Sequence, residues 1–158
     1  MGIDEAIQQG KWDNAHHKAI VNIMYTSRFL EERAAAVVKP HGITLPQFNI
    51  LRILRGQKGK PASVKLLTER MLDKSSNASR LVDKLLEKGL VQRATCPKDR
   101  RAVEVTITET GLELLETMAA WARENEPIPA NLSDAEASLL SDLLDKLRES
   151  MAANPPKV

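Results

Sequence analysis

Ser75-Ser-Asn-Ala-Ser-Arg-Leu-Val-Asp-Lys-Leu-Leu-Glu-Lys-Gly-Leu-Val-Gln-Arg93 decides the fold. Ala78, Leu81, Val82, Leu85 and Leu86 recur at three- and four-residue steps, which predicts an amphipathic helix over Ser75–Lys88. Gly89 then suits a left-handed cap, because it carries no Cβ. The apolar set leaves Ser75, Ser76, Asn77, Ser79, Arg80, Asp83 and Lys84 facing outward. Just upstream, Ser63–Met71 predicts a shorter helix burying Val64, Leu67 and Met71, followed by a turn at Leu72-Asp73-Lys74. Two short helices joined by a tight turn form a helix-turn-helix.

Downstream, Leu90–Thr95 and Ala102–Ile107 predict two strands. In the second, Val103, Val105 and Ile107 alternate with Glu104 and Thr106, the period of a half-buried strand. The tip between them, Cys96-Pro-Lys-Asp-Arg-Arg101, is polar and basic. Pro97 is tolerable there because a tip residue needs no ladder hydrogen bond.

Outward again, residues 12–38 predict one long helix, stopped by Pro40-His-Gly42. Thr44-Leu-Pro-Gln47 has the form of a capping box and opens a helix burying Phe48, Leu51, Ile53 and Leu54. Thr108 is placed to cap a helix running through Leu112, Leu115, Met118 and Trp121 to about Asn125. After Pro127 and Pro129, Ser133-Asp-Ala-Glu136 is a second capping box, heading a helix with Leu139, Leu140, Leu143, Leu144 and Leu147 on one side. The fold class is therefore mainly α with a small β-hairpin wing. Its expected divisions are an N-terminal dimerisation helix (1–43), a winged helix-turn-helix (44–107), C-terminal dimerisation helices (108–151) and a frayed tail (152–158).

The chain of 158 residues carries a formal net charge of +2, which conceals a strong asymmetry. Residues 51–101 hold 14 Lys and Arg against 5 Asp and Glu; the remainder hold 9 against 16. A basic middle between acidic ends points to nucleic acid, although Lys and Arg also populate any solvated surface. No apolar run reaches the roughly 20 residues of a transmembrane helix. The N-terminus lacks a basic start and an apolar stretch, so neither a signal peptide nor a membrane is expected, and the expected location is cytoplasmic. Ala6 stands where a myristoylation motif wants Ser or Thr. A single Cys excludes an intrachain disulfide, and three scattered His give no zinc-finger spacing.

The second helix of such a pair lies in the major groove and reaches base edges from its N-terminal end. Ser75, Ser76, Asn77, Ser79, Arg80 and Lys84 are the expected contacts there. In the wing, Lys98, Asp99, Arg100 and Arg101 are the expected contacts, since a narrow minor groove attracts Arg. Asp99 repels phosphate, so its expected task is to hold and aim Arg101. The plainer alternatives are an ordinary amphipathic helix with a solvated face and a solubilising charged turn.

The Ser75–Arg93 stretch, with Asp99-Arg-Arg101 and Val105-Thr-Ile-Thr-Glu-Thr-Gly111, resembles the MarR (multiple antibiotic resistance) regulators. Leu45-Pro-Gln-Phe48 and the flanking helices fit too, so the resemblance covers about residues 15–150. It implies a homodimer joined through its terminal helices, binding double-stranded DNA at a pseudo-palindromic operator. It also implies a repressor, often released by a small phenolic or aromatic effector, with the wing Asp and Arg paired. One departure is Cys96, where wings of the family often carry Asp before the proline. Its cationic neighbours raise the idea of a thiol switch. The peroxide-sensing branch instead uses a Cys in the N-terminal helix, which has none here, so a tolerated surface thiol is the plainer reading.

His16 and His17 read as helix-surface or dimer-contact residues, not metal ligands, since His41 is the only other His. Trp12, Tyr25, Phe29 and Trp121 could line an effector pocket, but aromatics at helical spacing usually build core. No cofactor and no catalytic constellation is expected. The competing classes are a winged-helix module that docks on protein, distinguished by weak binding to random duplex DNA, and an enzyme, which would need a site this sequence lacks.

Overall fold

A computed structural model describes residues 1–96, 99–125 and 131–153, and the side chains of all of these except 95–102, 124 and 125. Two compact units divide the chain, Met1–Ala119 and Ala120–Val158.

In the first unit, a short helix α1 (Ile3–Ala6) precedes the long α2 (Ala15–Val38). Asn14 caps α2 by accepting the His17 N–H at 2.9 Å, so the helix starts three residues after the expected Trp12. Asp4 fastens the N-terminal segment: it accepts from the Trp12 indole at 2.5 Å and the Lys18 ammonium at 2.6 Å, while Ile3 is buried. A 3₁₀ turn (Lys39–His41) and Gly42, at φ +70°, end α2.

The capping box forms as expected: Gln47 N–H donates to the Thr44 hydroxyl and Gln47 Oε1 accepts the Thr44 N–H, heading α3 (Leu45–Gly56). Ser63 caps α4 (Val64–Arg70). The next helix, α5, spans Ala78–Glu87 and not Ser75–Lys88, because Asn77 is its N-cap and accepts the Arg80 N–H at 3.1 Å. Its C-terminus closes on Gly89 at φ +68°, with Gly89 N–H donating to Leu86 and Leu90 N–H donating to Leu85. That is the paired-bond Schellman closure, which satisfies two carbonyls a bare helix end would leave open.

Strands β2 (Val91–Cys96) and β3 (Asp99–Ile107) form the hairpin, and β1 (Ala62–Ser63), too short to show in the sequence pattern, adds a third strand in the order β1-β3-β2. Val91 faces Ile107 and Arg93 faces Val105, and Ala62 pairs with Val105 from the other side. After Thr95↔Val103 the register jumps to Cys96↔Asp99, bulging β3 over residues 100–102. Ile50, Leu51, Leu54, Leu67, Met71, Val82, Leu85, Val91, Val105, Leu115 and Met118 make the core, so α3, α4, α5, the sheet and the start of α6 (Glu109–Asn125) share one interior.

Leu86, on the side of its helix expected to be buried, is 40% exposed. Leu86 sits at the edge of the apolar arc of α5, beside the charged Glu87 and Lys88, where the core has already closed on Leu85. Tyr25, Phe29 and Trp121 are exposed too, so they are not core of a single chain.

The start of α6 has a tight seat. Thr108 accepts the Gly111 N–H at 3.1 Å and donates its own hydroxyl to the Gly89 carbonyl at 2.7 Å. A Cβ on Gly111 would lie 2.3 Å from the Leu90 carbonyl oxygen and 2.7 Å from Ile107 Cγ1. Only glycine fits.

In the second unit, α7 (Asp134–Ala153) begins at the expected capping box: Glu136 accepts from the Ser133 N–H at 2.8 Å and its hydroxyl at 2.7 Å. Leu139, Leu140 and Leu143 are exposed along it.

Candidate nucleic-acid interface

The helix-turn-helix presents α5 on the surface because its other side is anchored in the core. Ala78, Val82 and Leu85 are buried, so Ser79, Arg80, Asp83 and Lys84 must face solvent at helical spacing. Ser76, Asn77, Arg80, Leu81, Asp83, Lys84 and Glu87 line one shallow concave face along the helix.

The turn before α5 is braced on both sides. Asn49, on α3, accepts the Leu72 N–H at 2.9 Å, and Lys74 donates to the carbonyls of Thr68 and Glu69 at the end of α4. The residues expected on the first helical turn, Ser75, Ser76 and Asn77, therefore sit in this braced turn. Asp73 Oδ1 accepts from the Ser75 N–H at 2.9 Å and the Ser75 hydroxyl at 2.6 Å, while Oδ2 accepts from the Ser76 hydroxyl at 2.6 Å. These bonds, led by those from the two serine hydroxyls, hold the Asp73 carboxyl below its ordinary value. The sequence pattern places Asp73 in the turn but assigns neither it nor Asn49 a bonding role; only the side-chain hydrogen bonds of a folded turn show one.

Among the α5 charges, Asp83 pairs with Arg93 of β2 at 2.7 Å and Lys84 with Glu87 at 2.8 Å. Arg80 has no acidic partner among the described residues and is exposed, so its guanidinium is available to an anion or a base edge. The Asp83–Arg93 pair also ties the wing's first strand to α5. Lys98 lies outside the described residues. Asp99, Arg100 and Arg101 lie in β3 with their side chains outside the described set, as does the Cys96 thiol.

His17 Nδ1 stands 3.1 Å from Asp13 Oδ2, and its ring meets Trp12 edge to face at 5.5 Å. Among the described residues no group of three or more His, Cys, Asp or Glu is placed to hold a metal, and no helix is long and apolar enough to cross a membrane. A shallow cavity between α1 and α2 is lined by Ile3, Ala6, Asn22, Tyr25, Thr26 and Phe29.

A core-anchored helix-turn-helix, a three-stranded wing and long flanking helices define a winged-helix DNA-binding protein. Comparison with known proteins agrees. Residues 41–102 match the model of the MarR family. The chain is 31% identical over 126 residues to a putative transcriptional regulatory protein for the hcr operon of Thauera aromatica, covering 79% of this chain and 75% of that one. Its fold matches AbsC, a MarR family regulator of Streptomyces coelicolor, with a TM-score of 0.72 at 22% identity, over 92% of this chain and all of the other. It also matches an E. coli MarR mutant complexed with operator DNA, with a TM-score of 0.68 at 24% identity, covering 82% of this chain and 93% of that one. The chain belongs to the MarR family: it is a DNA-binding transcriptional regulator, not an enzyme.

Proposed function

We propose that the protein is a homodimeric repressor that binds a pseudo-palindromic operator and is released by a small aromatic or phenolic effector. Each subunit sets α5 in a major groove through Ser75, Ser76, Asn77, Ser79, Arg80 and Lys84. The wing residues Lys98, Asp99, Arg100 and Arg101 enter the flanking minor groove, with Asp99 aiming Arg101. Residues 1–43 and 108–151 form the dimerisation region around the DNA-binding part at 44–107.

The observation that carries this reading is the exposed polar and basic face of α5, held outward by a buried Val82 and Leu85. Dimerisation draws support from the exposed apolar side chains of α2 and α7, among them Met24, Phe29, Leu30, Leu139 and Leu143, which a second copy would cover. Effector release and the cytoplasmic setting rest on the family resemblance. Repression is the outcome that needs fewest parts, because a tightly bound dimer occludes the DNA it covers.

Titration of duplex DNA by fluorescence anisotropy tests the reading. Arg80→Ala and Arg101→Ala are each expected to weaken operator binding by about tenfold or more at moderate salt, about 1.4 kcal/mol, with the dimer intact in ultracentrifugation. A wild-type protein with little affinity for any duplex and a shallow salt slope would instead be a protein-docking module.

A further inference from the structure

The hydroxyls of the turn before α5 are not free rotors. A carboxylate has no proton to give, so in both 2.6 Å contacts to Asp73 the serine is the donor. Each hydroxyl owns one hydrogen, and once that is committed only its lone pairs remain. Ser76 is the more telling of the two, because it is half-buried and shares the concave face of α5 with Asn77 and Arg80. The brace from Asn49 and the Lys74 contacts to α4 keep the Asp73 turn in place while the face meets its partner.

We propose that Asp73 sets the reading polarity of Ser76, making it an acceptor that selects an amino-bearing base edge in the major groove. Those edges are adenine N6 and cytosine N4; guanine O6 and N7 and thymine O4 are acceptors and offer Ser76 nothing. For the same reason Ser76 does not donate to a phosphate. The inference rests on the proposed docking of α5 in the major groove. It makes Asp73 a positioning residue, acting on DNA through the serine.

Asp73→Asn inverts the arrangement without dismantling the turn. Two donors from Ser75 converge on Oδ1, so the amide oxygen belongs there and the NH₂ takes the place of Oδ2. Facing an NH₂, the Ser76 oxygen accepts, and its proton turns outward. The variant then favours guanine or thymine where the wild type favours adenine or cytosine. Removal of a negative charge also raises overall DNA affinity, so the decisive readout is preference, not strength.

The test is selection of bound sequences from random duplex DNA by the full-length wild type, Asp73→Asn and Ser76→Ala. The wild type is expected to enrich adenine or cytosine on one fixed strand at one base pair per half-site, that is A·T or C·G over T·A or G·C. Ser76→Ala should flatten that position alone, and Asp73→Asn should shift it towards guanine or thymine by roughly five- to tenfold, the worth of one hydrogen bond. Two results would each overturn the proposal: a Ser76→Ala profile identical to wild type, or an Asp73→Asn protein with unchanged preference, whatever its affinity. The last would mark Asp73 as structural only. Should Asp73→Asn not fold, the wild-type and Ser76→Ala profiles decide alone. If no protein enriches any duplex, the DNA-docking reading itself fails, which is a different outcome.

Discussion

Gly111→Ala sets two effects against each other, and the geometry decides between them. Gly111 lies in the first turn of α6 with no left-handed backbone to protect, so alanine's helix preference works in its favour by at most about 1 kcal/mol. Against it stands the new methyl, 2.3 Å from the Leu90 carbonyl oxygen, where ordinary contact begins above 3.4 Å. A side-chain tip could swing away; a main-chain oxygen cannot. Leu90 N–H donates to Leu85, its carbonyl accepts the Thr108 N–H, and Val91 starts the paired strand. Overpacking against such an obstacle costs about 3 kcal/mol, the upper part of the usual range. The net expectation is a loss of about 2 kcal/mol, which lowers the melting temperature by roughly 4–8 °C for a chain of this size. Urea unfolding followed by circular dichroism at fixed protein concentration reads it. Adding Ile107→Val, which removes Cδ1 at 3.3 Å and keeps a γ-carbon at 2.7 Å, should restore little, because the carbonyl remains. A Gly111→Ala protein as stable as wild type, or a full rescue by the added Ile107→Val, would refute the reasoning.

Two further outcomes follow from the braced turn. Asn49→Ala removes the acceptor of the Leu72 N–H and should cost about 1 kcal/mol, with faster amide hydrogen exchange confined to residues 72–77; unchanged exchange there would mean the brace is idle. The Asp73 carboxyl, lowered mainly by its bonds from the Ser75 and Ser76 hydroxyls, should titrate below the ordinary Asp value in ¹³C NMR and move up in a Ser75→Ala, Ser76→Ala double variant. Because its folded pKa is depressed, its contribution to stability is fully present above the unfolded value and fades as pH falls through the folded one. The double variant should therefore differ from wild type at pH 6 and converge with it in acid.

Capping and periodicity made most of the architecture legible. Thr44 with Gln47, Thr108 ahead of Gly111, and Ser133 with Glu136 each fix a helix start through bonds spanning three residues, which lie within reach of a linear reading. The β1 strand escaped because two residues give no period, and α1 because four residues hold only one buried side chain. The error at α5 has a specific cause. Ser75, Ser76 and Asn77 are all acceptable N-caps, and the pattern cannot tell which one turns its oxygen back on the helix. Asp73 breaks the tie by engaging both serines, leaving the cap to Asn77. Exposed Tyr25 and Phe29 misled for a different reason: an apolar helix face reads the same whether its own chain or a second one covers it.

The charge asymmetry gains meaning once the acids within it are followed individually. Residues 51–101 contain five Asp and Glu, each a potential repulsion against a phosphate backbone. Glu69 stands 4.0 Å from Lys65, Glu87 holds Lys84, Asp83 holds Arg93, and Asp73 is enclosed by serine donors. Asp99 is the fifth, and the proposed pairing with Arg101 would treat it likewise. Pairing costs the segment some reach, since Lys84 and Arg93 are partly spent on neighbours. In return the acids orient groups on α5 and the wing at close range, where a Coulomb interaction is strong, while from a phosphate farther off each pair looks nearly neutral. Arg80, exposed and with no acidic partner among the described residues, keeps its full charge. On this electrostatic ground the salt dependence of DNA binding should be lowered more by Arg80→Ala than by Lys84→Ala, although the two carry the same formal charge.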